Sequence, residues 1–411
     1  MSQPHFISFE NTEYAFAYKS DKELKKARFL FSSMGKPWLV KFGTRFTPVA
    51  IKWQLPFTKT IIRNTIFKQF VGGETLEQTA AVAKKLGEFN VQIILDYGVE
   101  GGGEREKEFD HAKDEFIRVI NYASTQPNIP FMSIKVTGMC RFSLLEKLDA
   151  AMNAASGSLM KRYITVVESL GPEEKDEWHN VRLRLMKICE TAAEKNVGVL
   201  IDAEETWIQD PVDALTILMM DIFNSKKAVV YNTIQLYRHD RLQFLKASYE
   251  AAAERNFILG AKLVRGAYME KERKRSQELN YPSPIQKDKE TTDKDYNAAV
   301  TFCCEHIDRI AMMVASHNEE SNLLATEVLQ QKNIPLNHVH VHFSQLYGMS
   351  DNITFNLARA GCSVSKYLPF GPIKDVIPYL MRRAQENSSV AGQTGRELGL
   401  IKKELQRRKI N

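Results

Sequence analysis

The sequence predicts an α/β fold of the TIM-like (β/α)8 barrel class, with additional N-terminal helices and a helix inserted between the second and third strands. Three observations carry that expectation. From Asn90 onward, eight short apolar or β-branched runs recur, each closed by polar residues and followed by a helical stretch. Continuous apolar runs, unlike alternating ones, mark strands buried on both faces, as parallel sheets require. The repeat occupies about 300 of the 411 residues, which is the span of one barrel with extra helices. A doubly wound open sheet is the alternative, but no GxGxxG follows the first run.

Taken in order, residues 1–86 lack period-two runs and form a helical N-terminal region, with a stripe of Leu76, Ala80, Val82, Ala83 and Leu86 after the Gly72-Gly73 break. Within it, Trp38 to Thr60 interleaves aromatic and aliphatic residues with Lys41, Arg45, Lys52 and Lys59. Such a stretch either packs on the main domain or lies on a membrane surface. The barrel is expected over 87–392, its strands within 91–98, 131–139, 197–206, 228–237, 260–268, 311–318, 338–348 and 362–371, and a basic helical tail over 393–411. Two connections are long. Arg141 to Asn196 holds helical patterns at Leu144–Leu170, weakened at Gly157, and at Glu173–Lys195. Met269 to Asp293 is charged and follows a strand's C-terminal end, the place for a functional loop or mobile lid.

Composition narrows the class. Hydrophobic residues make up 44% and charged residues 26%, ordinary values for a globular protein. The net charge of +6 is small for this size and does not suggest nucleic acid, while weak attraction to an anionic membrane stays open. Five scattered cysteines without metal-ligand spacing point to reduced thiols. With no 18-residue apolar run and with Glu10 and Glu13 near the N-terminus, the expected location is cytoplasmic, with peripheral contact on the inner face of a membrane as a further option. Nothing in the sequence specifies an oligomeric state.

A barrel gathers its chemistry at the C-terminal ends of its strands. Those ends carry Asp96; Lys135; Asp202, Glu204 and Glu205; Gln235; Lys262, Arg265 and Tyr268; Ser316, His317 and Asn318; Ser344, Gln345 and Tyr347; and Tyr367. Charged residues inside or just after apolar strands need partners, and together they outline a site. A desolvated Lys135 or Lys262 fits a Schiff-base aldolase. A metal hydrolase is less supported, because His338, His340 and His342 alternate at period two and share one strand face without a local acidic ligand. After the last strand, Tyr379, Arg382, Arg383 and Glu386 fall on one helix face. They form either a solvated face with one weak ion pair or a bidentate clamp for a small carboxylate.

The segments GAKLVRGAYMEKER (260–273), IDAEE (201–205), SHN (316–318), LYGM (346–349), YLPFG (367–371) and YLMRRAQEN (379–387) resemble the proline dehydrogenase family of flavoenzymes in order and spacing. The resemblance runs from about Phe89 to Asn387, and the combination of LVRGAY with YLxRRxxEN is its specific part. It implies a distorted (β/α)8 barrel that binds FAD non-covalently, oxidises L-proline to Δ1-pyrroline-5-carboxylate and passes electrons to a quinone. The KLVRGAY form and the SVAGQTGRELGLIKKELQRR tail look closer to the single-function branch of the family than to its large bifunctional members.

Carried over residue by residue, the resemblance implies that Arg382 and Arg383 hold the proline carboxylate, with Lys135 beside them and Glu386 pairing with an arginine. Tyr367 and Tyr268 shape the substrate pocket, and Tyr367 opposes hydroxyproline. Asp202 resembles the acid near the substrate amine. On the cofactor side, Gln235 is similar to a glutamine that touches the isoalloxazine, the Val264-Arg265-Gly266-Ala267 backbone to phosphate and ribose contacts, and Ser316, His317 and Asn318 to the adenine and diphosphate end. Two positions depart from the pattern. Lys262 stands where many bacterial members carry an arginine toward flavin N5, replacing a planar fork by a point donor. Ser344 stands where some members have a glutamine, and the loop around Lys289 has no clear counterpart.

Overall fold

The computed structural model describes residues 7–53, 56–98, 105–389 and 393–410. Eight parallel strands follow one another in chain order around a closed barrel. They are β1 (Gln92–Tyr97), β2 (Phe131–Ile134), β3 (Gly198–Ile201), β4 (Val230–Gln235), β5 (Leu259–Val264), β6 (Ile310–Ala315), β7 (Val341–Leu346) and β8 (Val364–Phe370). Each falls on the run expected for it, β5 and β6 beginning one residue earlier, at Leu259 and Ile310. Lys135, Asp202, Arg265 and Ser316 each follow the last residue of a strand directly.

The chain divides into two compact units, one of residues 101–342 and one of residues 1–100 with 343–411. In the first, β2 to β6 pair in register, with Thr233 opposite Lys262. Trp178, Phe257 and Tyr296 are fully buried there. The long connection after β2 holds three helices, Phe142–Ala154, Leu159–Ser169 and Pro172–Lys195. The weak centre noted at Gly157 is a real break, with φ at +118°. The connection after β5, expected to be a loop, instead forms helix Met269–Leu279 and a segment bridged through Ile285 to Arg238, ahead of helix Lys289–Glu305. Its charged residues satisfy helical propensity rather than loop chemistry.

In the second unit β8 pairs with β1 and with β7, placing Tyr367 opposite Ile94 and Leu346. Helices Thr12–Phe16, Asp21–Met34, Pro37–Lys52, Thr58–Ile62 and Thr79–Gly87 precede β1, as the absence of period-two runs required. Ser20 and Glu23 close helix Asp21–Met34 with a capping box. The apolar sides of these helices pack with helices Ile373–Ser389 and Gln393–Arg407 in one core that includes Phe16, Leu24, Phe31, Phe70, Val376 and Leu400. Residues 54–55 of the expected aromatic stretch, 99–104 and 390–392 of the expected barrel range and 411 of the expected tail lie outside the described residues.

The histidine reading needs correction. His338 and His340 precede β7 in a turn, and only His342 lies within the strand, so the three do not share a strand face. His338 Nδ1 accepts the His340 N–H at 3.2 Å, and His340 Nδ1 lies 2.7 Å from the Ile307 carbonyl. His342 is buried against Phe131, and burial pushes its imidazole down to about 3.

Candidate functional site

In the unit of residues 101–342, the strand ends bring one carboxylate together with two ammonium groups. Lys262 is 6% exposed within β5, and its Nζ lies 2.6 Å from Asp202 Oδ1. Asp202 is fixed just beyond β3 by its N–H, which donates to Ile134 O at 2.9 Å. Burial pushes the Asp202 carboxyl up, but the charges of Lys262 and Lys135 more than offset it and hold the group below the usual range. Lys135 acts on the Glu204 carboxyl as well, so the two ammonium groups are shared between Asp202 and Glu204.

Glu204, two residues on, was noted at a strand end but given no role by sequence reasoning. Its buried carboxylate accepts the Thr137 hydroxyl at 2.8 Å, and burial pushes it up to about 7. Its carbonyl accepts Gln235 Nε2 at 3.1 Å, which orients the Gln235 amide at the end of β4. The Gln235 Oε1 that remains is buried and has no hydrogen-bond partner. A buried acceptor left in this way is a cost unless a ligand N–H meets it.

Arg265, directly after β5, is held on every side. Its Nε donates to Asp293 at 2.7 Å, Nη1 to Ser316 Oγ at 2.7 Å and Nη2 to Ser321 Oγ at 3.0 Å, and the guanidinium lies 4.4 Å from the Tyr296 ring centre. The clamp fixes the backbone that follows. Gly266 has φ at +136°, and a Cβ there would lie 2.4 Å from the Tyr237 ring, so only glycine fits. Gly266 and Ala267 are exposed, whereas Tyr268 is buried with Lys271 Nζ 5.3 Å from its ring centre. Asn318 caps helix Glu319–Gln331 by accepting Ser321 N–H at 2.8 Å, while Ser316 Oγ accepts Asn318 N–H at 3.1 Å. His317, between them, is partly buried, as is Val264 ahead of Arg265. The buried Gln235 acceptor, the close-packed exposed backbone at Gly266 and the basic strand ends fit the flavin nucleotide that the resemblance implies.

In the other unit, Ser344 within β7 and Tyr367 within β8 are buried. Gly371, with φ at +146°, turns the chain out of β8, and helix Ile373–Ser389 follows. On that helix Arg383 is 5% exposed, donates to Glu386 at 2.5 Å and lies 5.2 Å from the centre of the Tyr379 ring. Burial pushes the Tyr379 hydroxyl well up, with Arg383 partly offsetting it. Arg382 is partly buried. A solvated helix face is therefore ruled out for Arg383: the guanidinium is desolvated and its orientation is set by Glu386 and an aromatic ring.

Residues 79–396 match the family model for proline dehydrogenase. The chain is 33% identical over 398 residues to proline dehydrogenase 1, mitochondrial, of Dictyostelium discoideum, covering 90% of this chain and 68% of that protein. It is 30% identical over 424 residues to hydroxyproline dehydrogenase of Xenopus laevis, covering 96% and 89%. Among solved structures, it is similar to proline utilization A from Bdellovibrio bacteriovorus inactivated by N-propargylglycine, with a TM-score of 0.70 at 20% identity. That likeness covers 98% of this chain and 42% of the larger protein.

Proposed function

The chain belongs to the proline dehydrogenase family of oxidoreductases, and on that premise we propose that it oxidises L-proline to Δ1-pyrroline-5-carboxylate with FAD as its cofactor. The observation that carries the reading is the charged cluster of Lys135, Asp202 and Lys262 at the strand ends, beside a Gln235 amide whose acceptor is buried and unpartnered. FAD, when bound, supplies the acceptor for the hydride that leaves the substrate ring.

The protein's own residues position and desolvate. Arg382 and Arg383 take the substrate carboxylate, and Glu386 keeps the Arg383 fork in one orientation, so little entropy is lost on binding. Asp202 stays ionised under the charges of Lys262 and Lys135, which makes it the counterion for the substrate amine. Lys262 directs one ammonium donor toward the cofactor ring, and Ser344 is a lesser polar neighbour. Gln235 offers its carbonyl oxygen to a ring N–H, and the exposed backbone of Val264, Arg265, Gly266 and Ala267 takes the phosphate and ribose. Ser316, His317 and Asn318 serve the adenine and diphosphate end. Tyr268 and Tyr367 close on the substrate ring, and Tyr367 favours proline over its hydroxylated analogue. A quinone is the onward electron acceptor.

A Schiff-base lysine needs a neutral, unengaged amine. Lys262 is instead in a 2.6 Å ion pair, which disfavours the aldolase reading for it. Five buried thiols without a disulfide support a reducing compartment, for which we propose the cytoplasm. No helix of the described residues is long and apolar enough to cross a membrane. The test is spectroscopic. Purified protein should be yellow with flavin absorption bands that bleach anaerobically on adding L-proline; a colourless protein, or bands that proline leaves unchanged, would overturn the assignment.

A further inference from the structure

The amide of Gln235 is held from outside the barrel wall. Helix Gln209–Phe223 follows β3 and packs against β4. Gln209 opens this helix, Asp213 lies one turn on, and both are buried, as are Asn232 within β4 and Arg241 at the start of the next helix. Gln209 Oε1 accepts the Glu204 N–H at 3.0 Å, and its Nε2 donates to Asp213 Oδ1 at 2.8 Å. The same Asp213 oxygen accepts Asn232 Nδ2 at 2.9 Å, and Oδ2 takes the Arg241 guanidinium. Burial pushes the Asp213 carboxyl up, with the charge of Arg241 opposing it.

The polarity of every bond in this chain is fixed by its ends. A guanidinium only donates, so Asp213 meets it as an acceptor, and Gln209 must turn its NH2 toward Asp213 and its oxygen toward Glu204, whose N–H only donates. The Glu204 carbonyl only accepts, so Gln235 gives it Nε2 at 3.1 Å and its own Oε1 is the atom left over. Reversing either glutamine would set N–H against N–H or oxygen against oxygen in a buried place, with hydrogen bonds left unmade. β4 supplies a second tether. Side chains alternate along a strand, so Asn232 and Gln235 lie on opposite faces, and Gln235 shares its face with Thr233, which pairs with Lys262. Asp213 therefore grips the outer face of the strand whose inner face presents Gln235.

We propose that Gln209 and Asp213 are positioning residues for the flavin: acting through the Glu204 main chain and through Asn232, they keep the Gln235 oxygen aimed at a ring N–H. The inference deepens the proposed flavin site and rests on it. Neither side chain belongs to the groups that would touch cofactor or substrate, so both act only through Gln235. A cluster that merely fastened the helix to the barrel would tolerate any side chain of the same volume at position 209. One that sets the direction of the Gln235 amide requires, at that position, an acceptor for Glu204 and a donor for Asp213.

Three variants of the full chain separate these roles. Gln209→Met keeps the volume and loses both bonds. Gln209→Glu, buried against Asp213, takes up a proton, so one oxygen accepts from Glu204 while its O–H donates to Asp213 and the polarity is kept. Asp213→Asn keeps an oxygen for Arg241 but offers NH2 to Gln209, whose amide must then reverse. Release of FAD from each holoenzyme on serial dilution, read by flavin fluorescence, gives the affinity, and circular dichroism confirms the fold. Anaerobic bleaching by L-proline gives the reduction rate and the half-saturating proline concentration. Gln209→Met and Asp213→Asn should each bind FAD and be reduced roughly tenfold less well, the scale of one hydrogen bond, with shifted flavin absorption bands and unchanged half-saturating proline. Gln209→Glu should restore the parent affinity, bands and rate. Folded Gln209→Met or, should that variant not fold, folded Asp213→Asn that binds FAD and bleaches as the parent does would overturn the proposal. So would Gln209→Glu with the losses of Gln209→Met, which would leave only packing. Parent protein without flavin overturns the flavin site and this inference together, whereas flavin-bearing parent with an unaltered Gln209→Met overturns this inference alone.

Discussion

Two lysine–aspartate pairs, one in each compact unit, are built from the same groups and serve different ends. Lys262 and Asp202 meet at 2.6 Å, with side chains 7% and 13% exposed. Lys366 and Asp351 meet at 3.0 Å, with side chains 0% and 4% exposed. Lys366 lies in β8 and faces the helices outside the sheet. It donates to Met349 O at 2.5 Å, and Asp351 accepts the Tyr18 hydroxyl at 2.8 Å with Lys19 nearby at 3.5 Å. Burial pushes Lys366 down although Asp351 opposes the shift. The Lys366 pair thus spends its hydrogen bonds on the protein itself, tying the N-terminal segment, helix Asp351–Arg359 and the barrel wall. The Lys262 pair shares its carboxylate with a second lysine at the end of the strands. Both carboxylates serve two lysines; the Lys366 pair differs in being completed by a backbone carbonyl and a tyrosine hydroxyl, whereas the Lys262 pair stands at the C-terminal ends of the strands.

If that distinction holds, the two lysines must fail differently. Lys366→Met should cost roughly 3–5 kcal/mol of stability in urea unfolding, because it removes the fully buried partner of Asp351 and the donor to Met349 O, and should leave proline turnover per folded molecule near the parent value. A midpoint unchanged from the parent would break the comparison. Arg383→Met should show the opposite signature, with kcat/KM for proline falling by about 3–5 kcal/mol of binding, most of it in KM, and stability shifting less. An unchanged KM would remove the clamp from the account. Lys262→Met should slow flavin reduction by roughly a hundredfold, the scale of one positioned donor, and stability should drop less than for Lys366→Met because Asp202 is the more exposed carboxylate, 13% against 4%.

The pH dependence sharpens the comparison further. Glu397 on the C-terminal helix is buried, and burial pushes it up to about 7, with Asp351 adding to the effect and the Ser350 N–H opposing it. A carboxyl raised above its unfolded value of about 4.3 holds its proton more tightly in the folded state. Stability is therefore lost as pH climbs from about 4.3 toward 7 and levels off above that. Glu397→Gln should abolish this loss and stabilise the protein by about 1–3 kcal/mol at pH 8. Parallel pH curves for the two proteins would contradict the shift. The smallest effect is Tyr18→Phe, which removes one hydrogen bond to Asp351 and should cost about 1 kcal/mol in the same unfolding assay without touching kinetics.

Much of this was legible in the residues. All eight strands fall on the expected apolar runs, two of them starting one residue early, because a strand covered on both faces cannot alternate, and the helix bearing Arg382 and Arg383 was announced by the spacing of Tyr379, Arg382, Arg383 and Glu386. The Lys366 cluster was not. Within VSKYLPF, Lys366 and Tyr367 are neighbours on opposite faces, and a fully buried strand offers no polarity pattern to say which face is the interior. Glu204 escaped assignment because its effect passes through the Gln235 amide, a contact between strand ends that spacing does not encode. The histidines misled because alternation looked like a strand before β7 had begun.

Of the two buried lysines, only Lys262 should serve the reaction. Anaerobic single-turnover reduction of bound flavin by L-proline, followed side by side in Lys262→Met and Lys366→Met, tests that directly. Bleaching should be slowed in Lys262→Met and keep the parent rate in the folded fraction of Lys366→Met; equal rates in the two variants would take Lys262 out of the reaction.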